Sequence, residues 1–132
     1  MDLEQEERVW QRVRGELPIL EAAELAGVLR ALYKYGKARE LTARLLQTQM
    51  EHLDALRGMC RSLGRTEPSW VIADPRNTSG PELIQRALEL LRRLRGIYRI
   101  LGRDETFGAV FGLLDGETVY MEKELLRLYS RV

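Results

Sequence analysis

Between residues 38 and 63 the inward candidates recur at alternating steps of four and three: Leu41, Leu45, Thr48, His52, Ala55 and Met59. That rhythm suits an α-helix with one face against a core, because 3.6 residues per turn brings positions three and four apart onto one side. It returns in Phe107, Val110, Leu114, Glu117, Met121, Leu125 and Leu128. It returns again in Ile84, Leu88, Leu91, Leu94 or Arg95, and Tyr98. Strand-like alternation is nearly absent. The chain is therefore expected to be all-α, built from long helices that each bury one stripe.

The punctuation fits that expectation. Helices are predicted over about 19–35, 38–63, 81–101 and 105–129. Gly36 and Gly64 follow the first two as C-terminal stops. Ser79 or Gly80 can cap the third, with Pro81 in its first turn. Leu20, Ala23, Gly27, Leu29 or Ala31, and Leu32 give the helix over 19–35 its apolar face. A short amphipathic helix over about 3–15 precedes these, with Leu3, Val9, Trp10 and Val13 on an edge that Glu6 interrupts. Pro18 separates it from the rest, since proline lacks the donor a helix interior needs. The expected division is residues 1–17 as an N-terminal helix and 18–132 as the bundle.

One connection differs from the others. Residues 65–80 have no helical period and hold Pro68, Pro75, Asn77, Ser79 and Gly80. Loops this long in a compact domain usually have a reason. A helix of about 25 residues is roughly 37 Å long, and 16 residues can extend to about 55 Å. The segment can thus run the length of the bundle and leave its two flanking helices parallel. Trp70, Val71 and Ile72 are apolar enough to dock it there. Tight connections at Gly36 and at Gly102-Arg103-Asp104 imply antiparallel hairpins on either side. Hairpin, long crossover between bundle helices 2 and 3, hairpin is the ferritin-like four-helix topology.

Composition narrows the function. Lys plus Arg is 21 and Asp plus Glu is 20, a formal net charge of +1, so broad electrostatic capture of nucleic acid is not expected. The basic run Arg92-Arg93-Leu94-Arg95 reads as a solvated helix face. Cys60 is a single cysteine in an apolar stripe, expected to be a buried thiol without a disulfide. The acidic N-terminal residues lack the apolar core of a signal peptide. No apolar run reaches the roughly 18–20 residues a membrane span needs. A cytoplasmic location, with no membrane partner, is the expectation. One histidine rules out a multi-His zinc site. Neither a Gly-rich phosphate loop nor a nucleophile elbow occurs. No catalytic or cofactor-binding residues are assigned.

The segment Gln49-Met50-Glu51-His52 occupies the mid-helix place where a di-iron bundle carries Glu-x-x-His. Glu21 stands about 30 residues ahead of His52 on the preceding helix, the order in which such domains present an inward Glu and then the motif. The runs His52-Leu53-Asp54-Ala55-Leu56-Arg57-Gly58-Met59 and Phe107-Gly108-Ala109-Val110-Phe111, with Tyr98 before the latter, continue the likeness. From residue 19 to 129 the chain resembles a small ferritin-like, rubrerythrin-type domain of the sort common in bacteria. The resemblance implies a four-helix bundle and, in members with full ligand sets, iron or manganese with redox or peroxide chemistry.

The departures decide the expectation. Gln49 replaces the motif carboxylate, and a neutral amide cannot supply the charge a di-cation site needs. Leu91 stands where the third bundle helix should carry Glu, and Glu89 lies on another side of that helix. The last helix reads Glu117-x-x-Tyr120, with no histidine in either register. The ligand set reduces to Glu21, with Glu24 one turn on as its alternative, His52 and Glu117. Glu117 can meet His52 across the bundle as a relic ion pair. The expected function is a non-catalytic interaction or assembly protein on a scaffold without its di-metal site. It would bind a protein partner or form a homodimer, with Trp10 as the contact residue. The alternative is a reduced iron or manganese site on Glu21 or Glu24, His52 and Glu117.

Overall fold

The computed structural model describes residues 3–4, 17–36, 38–75 and 78–130. Among them the chain is all-α, with four long helices and no strand. These are α1 (Ile19–Tyr35), α2 (Arg39–Ser62), α3 (Gly80–Leu101) and α4 (Gly108–Tyr129). The N-terminal helix expected over 3–15 lies outside the described residues apart from Leu3 and Glu4, which are helical and exposed. Trp10 lies outside them too.

Local chemistry sets the helix ends. Pro18 precedes α1, and its carbonyl accepts from the Ala22 N–H at 3.1 Å. Gly36, at φ 91°, ends the helix in the left-handed region and returns its N–H to the Tyr33 carbonyl. Ser79 caps α3, its hydroxyl accepting from the Glu82 N–H at 3.3 Å, with Pro81 in the first turn as expected. α4 starts at Gly108 rather than near residue 105. The Asp104 carboxylate accepts from the Thr106 N–H at 3.0 Å and the Phe107 N–H at 2.7 Å, and these bonds hold the entry as a turn.

α1 packs on α2 and on α3; α4 packs on α3 and more lightly on α2; α1–α4 and α2–α3 are the diagonals. Leu25, Leu29, Leu45, Leu53, Leu56, Ile84, Leu91, Leu94 and Tyr98 fill the centre. All five inward candidates on α3 are buried where Leu94 is taken over Arg95. On α2 the expected Leu45, His52 and Met59 are buried, and on α4 the expected Leu114, Met121, Leu125 and Leu128; other positions shift by one residue. Gln49 and Leu53 are buried while Thr48 is only half-buried; Phe111 and Thr118 are buried while Val110 is exposed and Glu117 half-buried. The unequal packing is the cause. α2 turns its buried face toward α1 and α4 toward α3, each toward the neighbour it touches most.

α1 is also more buried than one stripe predicts. Ile19, Ala22, Leu25, Ala26 and Val28 join Ala23 and Leu29 inside, whereas Leu20, expected to face inward, is 53% exposed. The segment joining α2 to α3 supplies the second cover. Gly27 lies directly beneath the Ala73 carbonyl. Arg30 donates to the Ile72 carbonyl at 2.8 Å and to Asp74 at 3.1 Å, and Lys34 reaches Asp74 at 3.1 Å. Nearer α2, Arg57 pairs with Glu67 at 2.6 Å and lies over the Trp70 ring at 5.2 Å. Val71, expected to help dock this segment, is 75% exposed instead, whereas Trp70 packs against the core.

Candidate functional site

The middle of the bundle carries most of its interior polar groups. Gln49 and His52 lie one turn apart on α2 and are both buried. The Gln49 amide donates from Nε2 to the Ala22 carbonyl on α1 at 3.1 Å, while its Oε1 is buried with no hydrogen-bond partner. His52 is 2% exposed, and its Nε2 stands 3.6 Å from Oε1 of Glu117, which reaches in from the half-exposed side of α4. That separation exceeds a hydrogen bond, and neither imidazole nitrogen has a hydrogen-bond partner among the described residues. Burial lowers the His52 pKa from its ordinary value, against the opposing charges of Glu117 and Glu51. The ring is therefore neutral at pH 7.

Glu21 is half-buried on α1. Burial pushes the Tyr98 phenol well above its usual range, and the Glu21 charge adds to the effect. The Tyr98 hydroxyl is buried without a hydrogen-bond partner among the described residues, and its ring stacks on Phe111 with centroids 6.1 Å apart. Glu24 points elsewhere. Both its oxygens accept from Arg86 Nη2 on α3, at 2.6 and 2.9 Å. Glu89 bonds the same guanidinium at 3.1 Å. Leu91 is 1% exposed and fills its interior position with hydrocarbon.

Of Glu21, Glu24, His52 and Glu117, only His52 and Glu117 form a close pair. Among the described residues no group of three or more His, Cys, Asp or Glu side chains is placed to hold a metal ion. Gln49 is turned to a backbone carbonyl and Glu24 to an arginine, so these donors do not fit a di-iron or di-manganese group. Three features were not legible in the sequence: the Gln49 bond to Ala22, the orphaned Tyr98 hydroxyl, and the burial of Thr118, which donates to the Asp115 carbonyl at 2.7 Å. The signal for Thr118 was its place one step round from Glu117.

Other candidates resolve into structure. Cys60 is buried, its thiol 3.5 Å from the Arg65 carbonyl. The basic run is drawn onto α4: Arg92 bonds Glu122 at 3.1 Å, and Arg95 bonds Glu122 at 3.3 Å with Asp115 at 3.8 Å. A shallow groove near the start of α3 is lined by Ala31, Lys34, Asp74, Ser79 and Leu83, and Lys34 there is held by Asp74. Among the described residues no helix is long and apolar enough to cross a membrane. No protein-family model, curated protein or solved structure matches the chain.

Proposed function

We propose that the chain is a non-catalytic interaction or assembly protein, carried by a ferritin-like bundle whose metal position has been rebuilt as packing. The observation that carries this reading is Gln49. At the motif position it acts as a cross-helix clamp on Ala22 rather than as a ligand aimed at a cation. Leu91 in the core and Glu24 on Arg86 support the same reading. The scaffold assignment is supported by helix order. Glu24 meets Arg86, and the end of α1 borders the start of α3, so α1 opposes α3 as it opposes α2 across the Gly36 turn. α2 and α3 then run parallel, which needs a connection as long as the one over Gly27. The partner is a protein or a second copy, and Trp10 is the contact residue the N-terminal segment offers.

Elemental analysis by inductively coupled plasma mass spectrometry, on protein made with supplied iron and manganese, tests the reading. The expected result is sub-stoichiometric metal that His52→Ala leaves unchanged. About one or two metals per chain, as bundle sites hold, lost on His52→Ala, would overturn it and establish the redox or peroxide reading centred on His52 and Glu117.

A further inference from the structure

The first two turns of α4, up to Leu114, carry no charge; Asp115 and Glu117 follow. Phe107-Gly108-Ala109-Val110-Phe111-Gly112-Leu113-Leu114 carries no charge, yet only Phe111 and Leu114 are buried in the bundle. On the side away from the core, Leu113 is 62% and Tyr120 52% exposed. They stand two turns apart on one line, with Ala109 beside them and Gly116 between, both exposed. Apolar residues on the outer side of a bundle helix mark a surface that a partner can cover. Leu20 and Val71 are exposed elsewhere, but single exposed apolar residues are ordinary; on α4, Leu113 and Tyr120 share one side, with Glu117, 38% exposed, at its edge.

The charges at its two ends say what covers it. Glu105 precedes the patch and Lys123 follows it, both exposed, and neither has a salt bridge or side-chain hydrogen bond among the described residues. Leu114 lies midway between them in the sequence. Two copies of α4 laid antiparallel about a twofold axis near Leu114 would bring the turn that precedes each helix, with Glu105, toward the Lys123 end of the other. They would also oppose the helix dipoles favourably and remove Leu113 and Tyr120 from water. An isologous contact must be self-complementary, and this face meets that requirement in charge as well as in hydrophobicity.

We infer that the outer face of α4 is a self-association surface that takes a second copy of this chain, paired antiparallel through Leu113 and Tyr120 and closed at both ends by Glu105 and Lys123. The inference deepens the assembly reading and rests on it.

Sedimentation velocity of the full chain tests it. The expected species has twice the 15.3 kDa chain mass. Leu113→Glu makes it monomeric with its far-ultraviolet helical signal retained. Lys123→Glu sets two acids against each other at both ends and weakens the dimer about tenfold, as two reversed rim pairs should. Glu105→Lys combined with Lys123→Glu restores it, which a merely destabilised fold would not do. A dimer that Leu113→Glu leaves intact, or a double variant as weak as the single, overturns this surface. If Trp10→Ala then dissolves that dimer, the assembly reading survives without it. A wild-type chain monomeric at about 100 µM, where a specific dimer should form, overturns the surface; the assembly reading then stands or falls on a separate protein partner.

Discussion

The carbonyl of Ala73 lies so close above Gly27 that a Cβ there would collide with it. The obstacle is backbone, not the end of a flexible side chain, so the connecting segment would have to lift. Lifting it would also strain the Arg30 bonds to Ile72 and Asp74. Gly27→Ala is therefore expected to lose about 1–3 kcal/mol, the usual cost of overpacking. Gly96 provides the contrast, because a Cβ there meets nothing within 4 Å. Gly96→Ala should gain about 1 kcal/mol from helix propensity alone. Urea denaturation of the two variants checks the pair, and a gain in both would show that Ala73 does not rest on Gly27.

Ala38 enters α2 with φ 51° and ψ 50°, the one described non-glycine residue in the left-handed region. An L side chain there costs roughly 1–2 kcal/mol. Ala38→Gly relieves that strain, offset in part by the freer unfolded chain. A net gain of about 0.5–1 kcal/mol is the expected balance of the two. Loss of stability on this change would mean that the Ala38 side chain contributes packing that outweighs its backbone strain.

His52 makes the fold sensitive to acid. Burial holds its pKa below the ordinary 6.5, so at pH values between the two the unfolded chain takes up a proton that the folded chain refuses. Stability is thus complete above pH 6.5 and falls as the pH drops toward the lowered folded value, by at most about 1.4 kcal/mol per pH unit. Glu117 opposes the lowering. Glu117→Gln should therefore depress the His52 pKa further and deepen the loss, while His52→Gln should flatten the profile. Guanidinium denaturation from pH 7.5 to 5 reads all three, and a His52→Gln profile as steep as wild type would assign the acid response to another group.

Periodicity carried the helices because each one buries a stripe, and a stripe is written in local spacing. The bounds of α1 and the inward set on α3 follow from it. It could not carry rotation. Thr48 against Gln49, Val110 against Phe111 and Glu117 against Thr118 differ by one step round the helix. Which of each pair is buried depends on how strongly α2 and α4 pack on their neighbours. The second cover on α1 was hidden for the same reason, since nothing local shows that Ala73 lies over Gly27 or that Arg30 reaches Ile72. At the candidate site, the sequence showed that Gln49, Leu91 and Tyr120 stand where the expected ligand pattern asks for carboxylates or histidine. It could not show that Gln49 and Glu24 had taken other partners, because Ala22 and Arg86 are distant in the chain.

Gln49 gives the sharpest energetic test of a rebuilt core. Its amide donates to Ala22, but its Oε1 is buried and unpartnered, and such a group costs about 1–3 kcal/mol. The Ala22 carbonyl lies inside α1, where the helix's own ladder supplies a donor. Gln49→Met therefore removes an orphaned acceptor, strands nothing, and nearly conserves volume. It should be neutral or stabilising by up to about 2 kcal/mol. Gln49→Glu creates a Glu-x-x-His sequence but buries a carboxylate in the core. It should destabilise by several kcal/mol at pH 8, with part of the loss recovered at acid pH as the carboxyl protonates. Thermal and urea unfolding of both variants, in chelator and again with excess manganese, separates the two pictures. Manganese that leaves Gln49→Glu as unstable as before is the outcome a core rebuilt for packing requires. Stabilisation by the ion would mean that Glu21, His52 and Glu117 can converge on a cation when a carboxylate stands at position 49.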